Sequence, residues 1–254
     1  MTQSTGEKRL TAIVTGSSTG IGYSVARRLL ESGVHVVLAA RTESDLARAA
    51  GELSSVGKVA YLAGDVADPA FGARLVRKAV GTFGGVDILV NNAGVFNPKP
   101  FLETDEADLD RFYAINFKGS YFIAQAAVPE MKKRGGGAIV NVGTTLVEHA
   151  IAGFPASAAI ASKAALHSLT HQLAAELGED NIRVSTIATG IIETPLQGKM
   201  GIADVQSLAG LHLLNRVGST EDMADAVAML ARNDFITGTT LRVDGGHAAG
   251  HLFG

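Results

Sequence analysis

Seven short runs rich in β-branched residues, most of them almost continuously apolar, alternate with longer stretches of helical period, and this alternation limits the possible fold more than any other feature. The runs are Thr11–Thr15, His35–Ala40, Lys58–Leu62, Asp87–Asn91, Ala138–Val142, Arg183–Ala188 and Thr240–Val243. A strand without polar alternation must be covered on both faces. Helical patterns begin near Gly20, Glu43, Pro69, Asp108, Ala158 and Thr220, with Asp68 and Pro69 suited to an N-cap and first turn. Strands alternating with helices imply right-handed crossovers and a parallel sheet. The expectation is an α/β fold, a doubly wound sheet of about seven parallel strands with helices on both faces. The 254 residues show no repeat and no linker-like stretch, so residues 1–254 are read as a single domain. The segment Gly190–Arg216 breaks the alternation and contains an amphipathic piece, Gly201–Leu214. Irregular insertions of that length are often lids.

Composition removes several classes. There is no cysteine, which excludes disulfides, thiolate metal sites and cysteine nucleophiles. A net charge of −3 gives no electrostatic basis for nucleic acid or an acidic membrane as partner. Met1–Leu10 is polar, unlike a signal peptide, and no apolar run approaches the about 20 residues of a membrane span. The expected location is the cytoplasm.

Thr15-Gly16-Ser17-Ser18-Thr19-Gly20-Ile21-Gly22 directly follows the first strand and opens a helix. Glycines there permit a tight turn and close approach of a pyrophosphate. The helix N-terminus adds unpaired N–H groups and a positive dipole end. A glycine string alone is weak, but here it stands in a βαβ unit, as a Rossmann dinucleotide site requires. Strand two ends in Ala39-Ala40-Arg41-Thr42, where many dinucleotide folds carry an acid for the adenosine ribose. A carboxylate would repel a 2′-phosphate, whereas the guanidinium of Arg41 can bind it with two charge-assisted bonds. The expected cofactor is therefore NADP (NADPH), with NAD less favoured. Without that position, Arg41 would read as a solvated strand-end residue.

Together with the glycine turn, four segments resemble the short-chain dehydrogenase/reductase family. They are Asn91-Asn92-Ala93-Gly94, Asn116 within Ile115-Asn116-Phe117, Ala161-Ser162-Lys163, and Val243-Asp244-Gly245-Gly246. The resemblance spans nearly the whole chain in the expected order. It implies cofactor contacts from Gly16, Ser18, Thr19, Gly20, Ile21, Gly22, Asn92, Ala93, Gly94 and Lys163. It also implies adenine contacts from Asp65 and Val66 and nicotinamide contacts from Ile192 and Thr194. Asp65 reads equally well as a turn or capping residue. Where relatives have Pro-Gly shortly before that threonine, this chain has Thr189-Gly190.

The resemblance further implies a catalytic set for hydride transfer to or from a carbonyl or carbinol carbon. Asn116 would hold a water, Thr144 or Thr145 would bond the substrate oxygen, and Lys163 would bind ribose and lower a tyrosine's pKa. The tyrosine belongs four residues before the lysine, on the same helix face, but that residue is Ala159. The chain's tyrosines, Tyr23, Tyr61, Tyr113 and Tyr121, all lie in segments with other assignments. General acid–base groups contribute about 10²- to 10⁴-fold, so activity should fall by that factor, with water partly taking the phenol's place. Ala159 is either an introduced replacement or a natural loss.

His149 lies in a loop bordering the expected pocket and is either a substitute proton donor or an exposed loop histidine. His167 and His171, spaced i and i+4, lack an acidic partner, and no metal site is expected. Three functions stay open. One is an NADP(H)-dependent carbonyl reductase or alcohol dehydrogenase with impaired proton transfer. The others are a nucleotide-binding protein without turnover, and a non-redox isomerase or cyclase. The resemblance implies a homotetramer or homodimer, with the helices around Asn116 and Lys163 against a partner.

Overall fold

Buried alternation in the first strand explains the architecture. In the computed structural model, which describes residues 9–199 and 203–250, β1 (Thr11–Thr15) is buried at every position. Ala12 and Val14 pack on one side with Val25 and Leu29 of α1 (Gly20–Glu31), Leu46 and Leu53 of α2 (Glu43–Leu53), and Met223 and Val227 of α8 (Thr220–Arg232). Ile13 points to the other side, with Phe71 and Leu75 of α3 (Phe71–Phe83) and Ile123 and Ala127 of α5 (Gly119–Arg134). Full burial of one such side chain is worth about 1.5–3 kcal/mol. A continuously apolar strand is what two such layers require.

The seven parallel strands are ordered β3-β2-β1-β4-β5-β6-β7. The others are β2 (His35–Ala40), β3 (Val59–Ala63), β4 (Ile88–Asn91), β5 (Gly137–Thr144), β6 (Ile182–Thr189) and β7 (Thr239–Val243). The chain reverses its direction of winding between β1 and β4. Their C-terminal ends therefore border the crevice in which ligands of open α/β sheets bind.

Two helix starts differ from expectation. Pro69 lies in a turn, where Asp68 Oδ1 accepts from Ala70 N at 2.9 Å, and α3 begins at Phe71. The helix expected near Asp108 begins earlier, as α4 (Glu106–Phe112), because Asp105 and Asp108 form a reciprocal capping box. It then loosens into a π-turn, Tyr113–Lys118, before α5. Thr220 opens α8 as expected, capped by Ser219 and Asp222. The long helix α6 (Ser157–Leu177) packs across β5 and β6. The irregular segment carries a short helix α7 (Pro195–Lys199), a 3₁₀ stretch at Val205–Leu211, and a parallel bridge from Ile192 to Gly218. Gly201 and Ile202 of the expected amphipathic piece lie outside the described residues. No helix among the described residues is long and apolar enough to cross a membrane.

Candidate active site

At Gly16 and Gly22 the glycine turn is built by contacts that leave no space for side chains. A Cβ on Gly22 would lie 2.4 Å from the Gly16 carbonyl oxygen, and one on Gly16 would lie 2.9 Å from Ala93 Cα. Gly16 and Gly20 also have φ of 64° and 59°, in the left-handed region glycine tolerates. Thr15 Oγ1 accepts from the N–H groups of Asn92 and Ala93, both at 3.0 Å. Asn92 Nδ2 donates back to the carbonyls of Thr15 and Gly16. Ser17, not among the expected site residues, ties the turn to β2 by accepting from Ala39 N and donating to Val14 O. The turn is thus fixed before any ligand arrives.

At the head of α1 the N-cap residue Thr19 makes no side-chain capping bond, and no acidic residue lies in the first turn. The free N–H groups and positive dipole end suit an anion. Ser18 is held from outside, its carbonyl accepting from Arg48 Nη2 at 3.3 Å. Ile21 is half-buried against the core. Arg41 is exposed at the end of β2 and has no ion pair among the described residues. These features fit the phosphates of a dinucleotide.

The remaining positions divide. Asp65 makes a turn bond, its Oδ1 accepting from Ala67 N at 2.9 Å. Val66 packs against the core, with its carbonyl close to Gly119. Thr194 is brought to the glycine turn, since a Cβ on Gly20 would lie 3.6 Å from Thr194 Cβ; its hydroxyl accepts from Leu196 N. The Ile192 side chain is buried in the core, so only its backbone can face a ligand.

Asn116, Lys163 and Gly94 converge. Asn116 is fully buried in the π-turn; its Oδ1 accepts from Val95 N at 2.8 Å, and its Nδ2 donates to Val95 O and Ser162 Oγ. These bonds pin the loop after β4 to α6, and π-turns often mark such sites. Lys163 is buried, and its Nζ donates to Val142 O at 2.6 Å. A Cβ on Gly94 would lie 3.0 Å from Lys163 Nζ and 3.1 Å from Asn116 Oδ1. Desolvation lowers the Lys163 pKa to about 8. The ammonium has three donors, and the other two remain for a ligand.

Thr144 and Thr145 separate clearly. Thr145 is buried, and its hydroxyl donates to Thr189 O at 3.1 Å. Thr144, half-buried at the end of β5, accepts from Leu146 N at 3.3 Å. Its backbone N–H donates to His167 Nε2, so His167 is a buried brace. Burial lowers the His167 pKa, which keeps the ring neutral.

Ala159 stands four residues before Lys163 and is only 1% exposed. It packs with Phe112 and Ala158, against which Val95 and Phe96 close. Tyr23 donates to Glu52, and Tyr113 and Tyr121 lie on an exposed aromatic face with Phe117 between them. His149 is half-buried and packs its ring on His247, 5.3 Å between centroids, instead of standing exposed. No group of three or more His, Cys, Asp or Glu among the described residues is arranged to hold a metal.

This geometry agrees with comparisons to known proteins. Residues 16–248 match the family model described as Enoyl-(Acyl carrier protein) reductase. The chain belongs to the short-chain dehydrogenase/reductase family of oxidoreductases. It is 39% identical over 249 residues to the Bos taurus protein "Dehydrogenase/reductase SDR family member 4", covering 92% of this chain and 86% of that one. It is 34% identical to a 3alpha-hydroxysteroid dehydrogenase of Mediterraneibacter gnavus, covering 94% and 96%. Among solved structures, a putative short-chain alcohol dehydrogenase of Sinorhizobium meliloti superposes with a TM-score of 0.88 at 37% identity, covering 96% and 97%. A blue fluorescent protein from a metagenomic library, solved in complex with NADPH, gives 0.87 at 34% identity, covering 94% and 98%.

Proposed function

We propose that this chain is an NADP(H)-dependent oxidoreductase of the carbonyl reductase or alcohol dehydrogenase type, in a form whose catalytic tyrosine is replaced by Ala159. The observation that carries the reading is the convergence of Gly94, Asn116 and Lys163 beside a glycine turn braced for a dinucleotide. Gly16, Ser18, Thr19, Gly20, Ile21 and Gly22 cradle the pyrophosphate, and Asn92, Ala93 and Gly94 line the cofactor's path. Arg41 takes the 2′-phosphate, Asp65 and Val66 the adenine, and Thr194 with the Ile192 backbone the carboxamide. A relative of similar fold in complex with NADPH supports the cofactor assignment.

When bound, the nicotinamide supplies or accepts the hydride. Lys163 directs two N–H donors into the site, Asn116 holds the loop after β4, and Thr144 donates its hydroxyl to the substrate oxygen. A threonine hydroxyl is too weak an acid to replace a phenol, so turnover of simple ketones is slow by about 10²- to 10⁴-fold. The reading extends to one dinucleotide-binding domain over residues 1–254, with residues 190–216 as substrate loop and lid. It describes a cytoplasmic homotetramer or homodimer, and the exposed aromatic face of Tyr113, Phe117 and Tyr121 supports such an assembly.

The sealing of Ala159 favours a second reading, nucleotide binding without turnover. One experiment separates them. Calorimetry with NADPH and NADH tests the cofactor site, and Ala159→Tyr assayed with NADPH and a ketone panel tests the chemistry. The oxidoreductase reading expects tight NADPH binding and at least about a hundredfold rate gain in the variant. Binding without any gain establishes the second reading, and no binding of either nucleotide refutes both.

A further inference from the structure

We propose that His212 is the positioning residue of the loop 191–194, assigned above to the nicotinamide carboxamide, an inference that rests on that cofactor reading. This loop follows β6 and is bonded to the later segment 206–218. Ile191 N donates to His212 Nε2 at 3.2 Å, and Ile191 O accepts from Gly218 N at 2.9 Å. Glu193 N donates to Gly218 O, and Gln206 Nε2 donates to Glu193 Oε2, both at 2.9 Å. Gly218 supplies its two bonds from the backbone, whatever its side chain. The bond at Ile191 N depends on the imidazole alone.

The ring's own hydrogen bonding marks this contact as functional. A nitrogen that accepts carries no proton, so the neutral ring bears it on Nδ1. That donor is buried and has no hydrogen-bond partner among the described residues. An orphaned buried donor destabilises the fold, and leucine or phenylalanine at 212 would avoid it. What histidine adds is the acceptor. The residue is only 2% exposed, and its neighbours fix where the ring stands. A Cβ on Gly245 would lie 3.2 Å from His212 Cβ, so the turn after β7 passes directly against it. His247 meets the ring at 83° with centroids 5.3 Å apart, and His247 in turn meets His149 at 5.3 Å. His149 lies just beyond the 3₁₀ turn capped by Thr144. The histidine stack therefore joins the nicotinamide loop, the substrate segment and the loop that bears Thr144. With Ile191 pinned to that stack, the loop is ordered before the nicotinamide arrives, and binding need not order it. The adenosine half of the cofactor, seated on the glycine turn and Arg41, makes no demand on the pin.

The test compares NADPH with adenosine 2′,5′-bisphosphate, which keeps the adenosine and lacks the nicotinamide, on the full chain. His212→Phe keeps an aromatic ring and removes the acceptor, whereas His212→Gln offers a new acceptor in its side-chain carbonyl. Calorimetry should show NADPH weakened about 2- to 12-fold in His212→Phe, the loss of one hydrogen bond, with the bisphosphate within about twofold. Hydrogen exchange at Ile191 N should quicken by a similar factor in that variant. His212→Gln should recover most of both effects, which a merely space-filling role would not explain. Should His212→Phe fail to unfold cooperatively in urea, His212→Leu takes its place under the same criteria. Equal weakening of both ligands means a general loosening and overturns the proposal. Unchanged exchange at Ile191 N, or a glutamine variant no better than phenylalanine, overturns it too. If the native chain binds both ligands and no variant separates them, the cofactor reading stands and the His212 assignment falls. If it binds neither, both fall.

Discussion

Replacing Lys163 by methionine should flatten the dependence of stability on pH between about 8 and 10.5 in the cofactor-free protein. The ammonium is buried and its hydrogen bond goes to the Val142 carbonyl, which does not offset the water it has lost. Desolvation therefore lowers its pKa from 10.5 to about 8. A drop of that size corresponds to about 3 kcal/mol of folding free energy. Below about pH 8 both folded and unfolded chains hold the proton, and the folded state bears the full cost. Between about 8 and 10.5 the unfolded chain binds more protons, so stability rises with pH across that window. Tyr23, whose pKa is raised by burial and by Glu52, opposes this only above pH 10, and it does so equally in both proteins. Urea denaturation at half-unit steps of pH should give a native curve rising by about 3 kcal/mol and a Lys163→Met curve without that rise. The lost bond to Val142 shifts the variant's curve as a whole, so the slope is the readout. Parallel profiles would show that Lys163 stays fully charged in the folded protein and would refute the desolvation argument.

Other perturbations probe the cradle and its braces. Gly22→Ala puts a methyl 2.4 Å from the Gly16 carbonyl oxygen, which should cost about 1–3 kcal/mol of stability and abolish measurable NADPH binding in a variant still folded by circular dichroism. Arg41→Ala should weaken NADPH by about 10- to 100-fold and leave NADH within about threefold, read by calorimetry; an equal loss for both would remove Arg41 from the 2′-phosphate. Asn116→Ala leaves the Val95 N–H and carbonyl without their partner, so urea denaturation should show a loss of about 1–3 kcal/mol, with faster hydrogen exchange at Val95 N. Unchanged exchange there would mean that another group restrains the loop after β4.

Strand positions were legible because two covered faces impose a simple composition. β1 and β2 match their expected bounds, and the other strands shift by a residue or two, within the fraying of element ends. The glycine turn was legible for a related reason, since its residue types are dictated by backbone clashes that any neighbour would produce. What escaped depends on distant partners. Nothing local distinguishes Thr144 from Thr145; the Thr189 carbonyl, supplied by the next strand, occupies the second hydroxyl and leaves the first. The π-turn under Asn116 reads as ordinary helix in sequence, because the bonds its side chain makes go to Val95 and Ser162 on other elements. The seal over Ala159 is likewise assembled from Val95, Phe96 and Phe112, none of them a helix neighbour of residue 159.

The energetics of Lys163 and its surroundings point to a site kept for function. A buried ammonium bonded to one carbonyl costs stability at neutral pH, and a methionine or leucine would fill the same volume without that cost. Nothing in the core needs the charge, since the layers on either side of the sheet are closed by apolar residues. Asn116 follows the same logic: three hydrogen bonds are devoted to holding a loop and a helix beside Lys163. Departures from the cheapest packing that gather at one place, at the sheet's switch point and beside an anion cradle, are the mark of a ligand supplying the missing partner. On the oxidoreductase reading proposed above, Ala159 withholds a proton donor from that place while the cation, the amide brace and the cradle remain. On that reading the site still binds and orients its cofactor, and the proton that must reach the product oxygen limits turnover.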